Sequence, residues 1–361
     1  MGHVRIFAAL VFVFVCQLPK LGHTIPRESN GGALEPVGSY EGVSLRKIAV
    51  QDGFLFATDY DGHKLYAFDV TDPSSPALLT TEDLPELVWD VKASGKWPRV
   101  YVYLLGRSRF SIYEFGESEN LSKVGHYDLL DGPSDICVKG SYAYIADGPG
   151  GLKVIDVSNP SRPYEVGCYK NASIIRVFAS DFYAFVVSSG PGYSFIIVDI
   201  SDSRSPYEVG RCDLKMGEID GVGDISVSDL YAFLAYNGPM LGDWSVSVIE
   251  VSNVSKPVQV GKMGFGLIND LTAIDDYLFV CTGGDLQVFD ISDIAEIRKV
   301  GDYYRFFPFY SISVSGFYTY IAGSSGLYIL NWKGLLESVT VIPSTWGKVK
   351  AQVRKEGAKW Q

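Results

Sequence analysis

The feature that most constrains the fold is an internal repeat that runs through most of the chain. A short apolar run that ends in an acid or an amide recurs at intervals of about 40 to 51 residues. A repeat of this length indicates that each copy is one supersecondary unit packed against its neighbours. The seven copies of the run lie at residues 65–69, 111–114, 154–156, 197–199, 248–250, 288–290 and 329–331.

The third copy shows the pattern of strands most clearly. Its predicted strands cover residues 135–139, 142–146, 152–157 and 164–169, and Gly- and Pro-containing turns separate them. Apolar and polar residues alternate with a period of two, which indicates antiparallel strands. Four such strands in 40–45 residues are typical of a propeller blade. We therefore predict an all-β chain that forms a single seven-bladed β-propeller of four-stranded antiparallel blades.

The repeat also resembles a known family, the LVIVD repeat. The resemblance rests on Gly-Leu-Lys-Val-Ile-Asp-Val-Ser-Asn-Pro at residues 151–160, with near copies at 196–202 and 286–293. It extends over roughly residues 40–332, and copies two and seven depart most from the pattern. The resemblance implies an exported or cell-surface propeller and does not imply any particular reaction.

The two ends of the chain differ from the repeats in composition. His3 and Arg5 precede an apolar run at residues 6–16, which is too short to span a bilayer and is typical of a signal peptide. A buried N-terminal strand or helix is the alternative. We predict a signal peptide at 1–24, the propeller at 25–345 and a basic tail at 346–361, which places the protein in the secreted, periplasmic or cell-surface class. The tail either contacts an anionic surface or is simply solvated.

The charge of the chain bears on its partners. The net charge is −11, and the basic residues of the two ends make the repeat region still more acidic. Such a field repels phosphate backbones. We therefore expect no nucleic acid partner. No segment of the sequence approaches transmembrane length, so we also expect no transmembrane span, and we expect a monomer in preference to an oligomer.

Motifs for known chemistry are largely missing from the sequence. Beyond residue 24 the histidines are His63 and His126, which lie in different repeats, so a His-based metal site or a Ser-His-Asp triad is disfavoured. The acid that ends each apolar run is interpreted as structural, because Asp side chains accept hydrogen bonds from the backbone of the following turn. This interpretation applies to Asp69, Asp156, Asp199 and Asp290.

The remaining candidates are the residues that open the innermost strand of each blade. A propeller brings them together at the mouth of its central channel, where nearby aromatic residues would add a binding surface for sugars, peptides or cations. Alternatively, the repeated Asp only satisfies N–H groups between blades. In that case the positions without Asp are the better candidates for a site that is specific to this protein. The channel-mouth residues are Lys47, Asp90, Asp135, Arg176, Asp224, Asp270 and Ser311, and the aromatic candidates are Trp89, Trp244, Phe306, Phe309 and Tyr310.

These features lead to a hypothesis of a non-catalytic binding or scaffold module outside the cytoplasm, which recognises a protein or a glycan. An enzyme, either a lyase or a hydrolase, that uses the carboxylates and Arg176 is the alternative, and a cell-surface component held by its tail is a third. No cofactor is required, but calcium or a cationic ligand at Asp90, Asp135, Asp224 and Asp270 is expected, because Lys47 and Arg176 offset only two of the four charges.

The chain ends are expected to close the ring. Residues 36–40 repeat the outer-strand motif of residues 166–169, so we predict that this segment completes the last blade. Residues 338–343 compete for the same place. Closure would cover an unpaired strand edge.

Overall fold

The computed structural model describes residues 34–129, 131–190, 192–214, 221–238 and 244–338. In these residues the chain forms seven four-stranded antiparallel sheets, which are the seven predicted blades. The predicted signal peptide and basic tail lie outside the described residues. Within the described residues, no helix combines the length and the apolarity that crossing a bilayer requires.

The strands follow one another in chain order from the centre of the ring to its edge. Blade 1 comprises β2 Leu45–Gln51, β3 Phe54–Asp59, β4 Lys64–Asp69 and β5 Ala77–Asp83; blade 2 comprises β6 Val88–Lys96, β7 Arg99–Gly106, β8 Arg109–Gly116 and β9 Leu121–Asp128; blade 3 comprises β10 Asp135–Lys139, β11 Tyr142–Ala146, β12 Leu152–Asp156 and β13 Tyr164–Tyr169; blade 4 comprises β14 Ser173–Ala179, β15 Tyr183–Ser189, β16 Ser194–Asp199 and β17 Tyr207–Asp213.

The remaining blades repeat this order. Blade 5 comprises β18 Gly221–Ser228, β19 Tyr231–Asn237, β20 Trp244–Glu250 and β21 Val258–Phe265; blade 6 comprises β22 Ile268–Ile274, β23 Tyr277–Thr282, β24 Asp285–Asp290 and β25 Arg298–Tyr304; blade 7 comprises β26 Phe309–Ser315, β27 Tyr318–Gly323 and β28 Gly326–Asn331, joined by β1 Glu35–Glu41. A 3-10 turn at Ile294–Glu296 precedes β25, and α1 Lys333–Ser338 follows β28.

The N-terminal strand closes the ring. β1 pairs with β28 in antiparallel fashion, from Glu35 opposite Asn331 to Glu41 opposite Gly326. The prediction for residues 36–40 is thus confirmed. The four strands predicted in copy three are also confirmed, except that β12 ends one residue earlier. Closure by the two ends of the chain removes the sheet edge that β28 would otherwise expose.

The core lies between blades, because the middle strands of each blade are buried on both faces. β23, for example, is buried at every position, and β15 and β16 are buried along most of their length. One hydrophobic cluster joins Tyr144 and Val154 of blade 3 to Val177 and Val186 of blade 4. Removal of this apolar surface from water favours the ring as a whole, since each blade covers its neighbour.

The repeated acid at the end of the third strand stabilises the loop that follows it. In blade 3, Asp156 Oδ1 accepts hydrogen bonds from the Ser158 N–H at 2.8 Å and from the Ser158 hydroxyl at 2.6 Å. The structural role interpreted from the sequence is confirmed. The same bonds recur from Thr71 to Asp69, from Ser201 to Asp199 and from Ser292 to Asp290.

These loops pack against a glycine in the outer strand of the preceding blade. A Cβ atom built on Gly167 of blade 3 would lie 2.2 Å from the Ser203 carbonyl oxygen in blade 4. Outer strands and loops of consecutive blades therefore meet backbone to backbone. Equivalent approaches are found for Gly38 against Pro73, Gly125 against Pro160 and Gly210 against Val254, at 2.2, 2.0 and 2.1 Å.

Candidate functional site

The channel-mouth residues lie at the start of the inner strands, where six of the seven blades contain a β-bulge. In six blades the pairing register of the innermost strand shifts at this point, and a β-bulge re-aims the side chains that follow it. In blade 3, Asp135 pairs directly with Ala146 without a shift. The shifts lie between Leu45 and Ile48, Val88 and Asp90, Ile174 and Arg176, Val222 and Ile225, Ile268 and Asp270, and Phe309 and Ser311.

The channel mouth is a cavity of about 890 Å³. This volume lies within the range of roughly 300–1,000 Å³ that is usual for small-molecule sites. All seven predicted channel-mouth residues line it, together with two of the predicted aromatic residues, Trp89 and Trp244. Five basic side chains line it as well, which are Arg46, Lys47, Lys92, Arg107 and Arg176. Sequence reasoning missed Arg46, Lys92 and Arg107.

The four acids of the cavity share one hydrogen-bonding pattern with the backbone. One carboxylate oxygen of each acid accepts a hydrogen bond from the N–H of the next residue in the chain. This bond holds the side chain against the start of its own strand. The distances are 2.8 Å from Val91 to Asp90, 2.9 Å from Ile136 to Asp135, 2.7 Å from Ile225 to Asp224 and 3.1 Å from Leu271 to Asp270.

In three of these acids the second oxygen reaches the next blade. Asp135 accepts from Val177 at 2.8 Å, Asp224 from Leu271 at 3.5 Å and Asp270 from Ile312 at 3.0 Å. A buried N–H without such a partner would cost about 1–3 kcal/mol. These acids therefore connect neighbouring blades, as the structural interpretation of the repeated Asp expected.

Asp90 departs from this pattern. Its second oxygen pairs with the Lys92 ammonium at 2.8 Å. Lys92 follows Asp90 by two positions in β6, so both side chains point to the channel side of the strand. Burial alone would lower the pKa of Lys92, but the carboxylates of Asp90 and Asp135 outweigh burial and raise it. The period of two within the strand was the signal that identifies Lys92 from sequence.

Asp224 and Asp270 form a coupled pair. Burial, followed by the adjacent charge of Asp270, raises the pKa of Asp224 well above its usual value. Burial also acts on Asp270, but Lys47, with its ammonium 3.8 Å from the carboxylate, and the hydrogen bond with Asp224 together lower the pKa of Asp270. Two adjacent carboxyls, one half-buried and one buried, cannot both ionise at low cost, so Asp224 retains a proton to higher pH than Asp270 does.

Arg176 takes the place of an acid in blade 4, and its guanidinium also connects two blades. It donates hydrogen bonds to the carbonyls of Gly223 and Val222 in blade 5, the latter at 2.7 Å, and to the Ile175 carbonyl at 2.7 Å. Ser311 in blade 7 is buried, and its hydroxyl helps to lower the pKa of Asp270. Two positions that lack Asp therefore contribute to the blade contacts as well.

The other predicted aromatic residues are placed apart from the cavity. Phe309 has no exposed surface and packs in the core between blades 6 and 7. Phe306 is 86 % exposed. The Tyr310 ring lies 5.1 Å from that of Tyr60. The structure thus brings Trp89 and Trp244 to the channel-mouth group and leaves Phe306, Phe309 and Tyr310 outside its lining.

A further buried carboxyl lies away from the channel, in the turn between β11 and β12. Asp147 has no exposed surface, and its closest cation is the Lys153 ammonium at 3.7 Å. Neither of its carboxylate oxygens has a hydrogen-bond partner among the described residues. Burial raises the pKa of Asp147 to about 6, and Lys153 only partly opposes this shift.

Calcium at the four acids stays a prediction. The prediction counts Lys47 and Arg176 as the cations that offset the acids, whereas the structure adds the contact between Lys92 and Asp90. In the part of the chain that the structure describes, no three His, Cys, Asp or Glu side chains are arranged as a metal-binding group.

Cys137, Cys168, Cys212 and Cys281 are free thiols.

Comparisons with solved structures agree with the fold. The chain is similar to Sqt1 of Saccharomyces cerevisiae, with a TM-score of 0.57 and 8 % identity over 84 % of this chain and 99 % of that one. It is also similar to the computationally designed protein Ika8, with a TM-score of 0.52 and 11 % identity over 84 % of this chain and 100 % of that one. At these identities the similarity concerns the fold alone. No curated protein sequence matches the chain.

The family comparison agrees with the repeat found in the sequence. The LVIVD repeat model matches five segments, at residues 44–82, 133–171, 175–214, 266–304 and 310–331. Blades 2 and 5 are unmatched, so copy five departs from the pattern more than expected and copy seven less. The matched segments all fall on blades of the ring, so LVIVD repeats form five of the seven blades of this β-propeller.

Proposed function

We propose that this propeller is a non-catalytic binding module outside the cytoplasm, which takes a group of a protein or glycan partner into its channel mouth. The observation that carries the proposal is that the side chains lining the 890 Å³ cavity fall into two groups, one bound to other protein groups and one available to a ligand. The acids are bound to backbone N–H groups and lysines. Two tryptophans and two arginines that line the same cavity, Trp89, Trp244, Arg46 and Arg107, provide a surface for a ligand.

The hydrogen bonds of the acids support a role in binding over one in catalysis. A general base needs an oxygen within hydrogen-bond reach of the proton that it removes. Both oxygens of Asp135 and of Asp270 already accept backbone N–H groups. Arg176 likewise donates to carbonyls, which leaves less of its guanidinium for a substrate.

Location outside the cytoplasm is supported by the sequence of the first 24 residues, with a basic start and a short apolar run. N-terminal sequencing of exported protein tests this part of the proposal. We expect the mature chain to begin near residue 25 and to be a monomer in size-exclusion chromatography. Intact Met1 in a cytoplasmic pool would contradict export.

The binding function is tested by probing arrays of glycans and secreted proteins with the mature protein and with two variants. We expect Trp89→Ala and Trp244→Ala to weaken the strongest signal by at least about tenfold, because large aromatic side chains dominate binding energies. Phe182→Ala is the control, since Phe182 is 64 % exposed and precedes β15, in the turn at the opposite end of the inner strands. Equal loss in the control, or no loss in the tryptophan variants, would contradict binding at the channel mouth.

A second candidate is an enzyme at the same mouth, either a lyase or a hydrolase. The observation that favours it is the pair Asp224 and Asp270, whose pKa values shift in opposite directions. Such a divergence is the usual arrangement of a general acid and a general base. A lyase or hydrolase activity of the wild type that Asp224→Asn abolishes, with an unchanged melting temperature, would establish this candidate in place of the first.

A further inference from the structure

The cavity at the channel mouth has two tiers. The inner tier contains the seven channel-mouth residues and Lys92. The outer tier contains the polar and aromatic cavity-lining residues that directly precede the inner tier in the chain, or that lie at a turn or at the start of a strand on the same face. The outer tier comprises Arg46, Trp89, Arg107, Ser134, Trp244 and Asn269.

The two tiers differ in charge. All four acids of the cavity lining lie in the inner tier, and among the described residues the outer tier contains bases, aromatic residues and neutral polar residues. The inner acids are held by Lys47, Lys92 and backbone N–H groups. The outer tier therefore offers positive charge and aromatic surface to a ligand.

The two arginines of the outer tier are available to a ligand. Arg46 lies at the start of β2 and Arg107 lies in the turn between β7 and β8, so they belong to neighbouring blades. Neither guanidinium has a hydrogen bond or an ion pair with a residue that the structure describes. Glu86 lies beside the turn that holds Arg107, but its carboxylate accepts a hydrogen bond from the Ser108 hydroxyl at 3.2 Å.

The polar neighbours of the arginines are occupied instead. The Ser134 hydroxyl donates to the Ile175 carbonyl at 2.9 Å, and the Asn269 amide donates to the Phe309 carbonyl. Of the four polar side chains in this tier, the two guanidinium groups are thus the ones whose hydrogen-bond donors are free among the described residues. A guanidinium presents a planar fork of N–H groups that matches a carboxylate or another oxyanion.

Trp89 and Trp244 add a second requirement on the ligand. Their rings line the same tier, from blades 2 and 5. An aromatic face packs well against a flat ligand whose surface is partly apolar, and a few polar groups then set its orientation. A sugar ring has such a surface, and an acidic sugar also carries the oxyanion that the arginines would bind.

We propose that the outer tier binds an acidic sugar, whose carboxylate or sulfate is held by Arg46 and Arg107 while its ring packs on Trp89 or Trp244. This inference rests on the proposed binding function and names the class of partner. The acidic repeat region repels anions at a distance, but at an ionic strength of 0.1 M that repulsion is screened beyond about 10 Å. The contacts within the outer tier therefore decide which ligand binds.

The test is calorimetric titration of the mature protein with four probes. The carboxylate probe is tetragalacturonic acid, and its fully methyl-esterified form is the uncharged control of the same length. A sulfated tetrasaccharide separates sulfate from carboxylate as the source of the anion. Poly-L-glutamate presents carboxylates on a peptide in place of a sugar. The protein variants are Arg46→Gln and Arg107→Gln, with Arg162→Gln as a control of equal charge in the β12–β13 loop at the opposite face.

We expect at least one of the acidic sugars to bind and the methyl ester to bind at least about tenfold more weakly, because a charge-assisted hydrogen bond contributes roughly 1.5–3 kcal/mol. Arg46→Gln and Arg107→Gln should each raise the Kd by a similar factor, whereas Arg162→Gln should leave it unchanged. The melting temperatures of all variants are compared to confirm that they fold.

Three results would overturn the inference. Equal binding of the methyl ester would show that the anionic group is not recognised, but a glycan-binding function would still stand. Poly-L-glutamate that binds as tightly as the sugars, with the same loss in the arginine variants, would make the partner a peptide. Absence of binding by either acidic sugar, while a protein from the array still binds in a Trp89-dependent manner, would refute the ligand class and leave the proposed function intact.

Discussion

The contact between each outer-strand glycine and the next blade predicts a steric effect that can be measured. In Gly167→Ala, the added Cβ would lie 2.2 Å from the Ser203 carbonyl oxygen and 3.1 Å from Arg204 Cα. Both are backbone atoms, so a rotamer change cannot relieve the clash. The loop between β16 and β17 would have to move by about 1 Å, and overpacking of this kind typically costs about 1–3 kcal/mol.

The chain contains a matched control for this substitution. Gly261 occupies the same position in blade 5, next to the same irregularity in strand pairing, as Val248 pairs with Gly261 and Val154 pairs with Gly167. A Cβ at Gly261 would lie 3.5 Å from Val248 Cβ, which is an ordinary contact. Gly261→Ala should therefore be neutral or slightly stabilising, because Ala reduces the freedom of the unfolded chain.

The assay is urea denaturation of both variants, followed by tryptophan fluorescence and circular dichroism. We expect the free energy of unfolding to fall by about 1–3 kcal/mol in Gly167→Ala and to remain within about 0.5 kcal/mol of the wild type or to rise in Gly261→Ala. The same loss in both variants would refute the steric argument, since it would show that glycine is required by the bulge and not by the neighbouring loop.

Other predictions concern ring closure, a buried carboxyl and the expected metal. Deletion of residues 35–41 should lower the melting temperature and cause aggregation in size-exclusion chromatography, because it exposes the edge of β28; an unchanged melting temperature would contradict closure by β1. The pKa of Asp147 is about 6 against 3.8 for a free carboxyl, so the folded state holds its proton over that interval and stability falls as pH rises through it. Between pH 4 and pH 7 this loss of stability should amount to about 2 kcal/mol in the wild type, and Asp147→Asn should lack it. Urea denaturation at the two pH values measures the difference, and an identical pH dependence in both proteins would argue against it. Calcium binding is checked by calorimetric titration of the wild type and of Asp135→Asn combined with Asp224→Asn; a Kd weaker than about 1 mM in the wild type would rule out the predicted site.

The sequence alone determined the ring and the strand boundaries of its third blade. The spacing of the repeats identified seven blades, and the alternation within copy three located its strands to within one residue. These features are readable because strand alternation and turn residues are local properties of the chain. Ring closure by residues 36–40 was also readable, since that segment carries the motif of an outer strand without the three strands that normally precede it.

The sequence also located the channel mouth but not the state of its residues. Register placed Lys47, Asp135 and Arg176 correctly in the cavity lining. It did not reveal that Arg176 donates to carbonyls of the next blade, and it gave the N–H of the next blade that Asp135 accepts as one of two interpretations of the repeated Asp. These bonds join residues more than 40 positions apart, and no local pattern specifies them.

Only the tertiary structure decided which groups of the mouth are free. Arg107 lies in a turn with no repeat signature, and it reaches the cavity because β7 ends and β8 begins beside the channel. Phe309 belongs to the same aromatic run as Phe306, yet one is fully buried and the other is 86 % exposed. The physical reason is that burial and pairing depend on the neighbouring blade, which the chain supplies from a different repeat, so the composition of one repeat does not determine them.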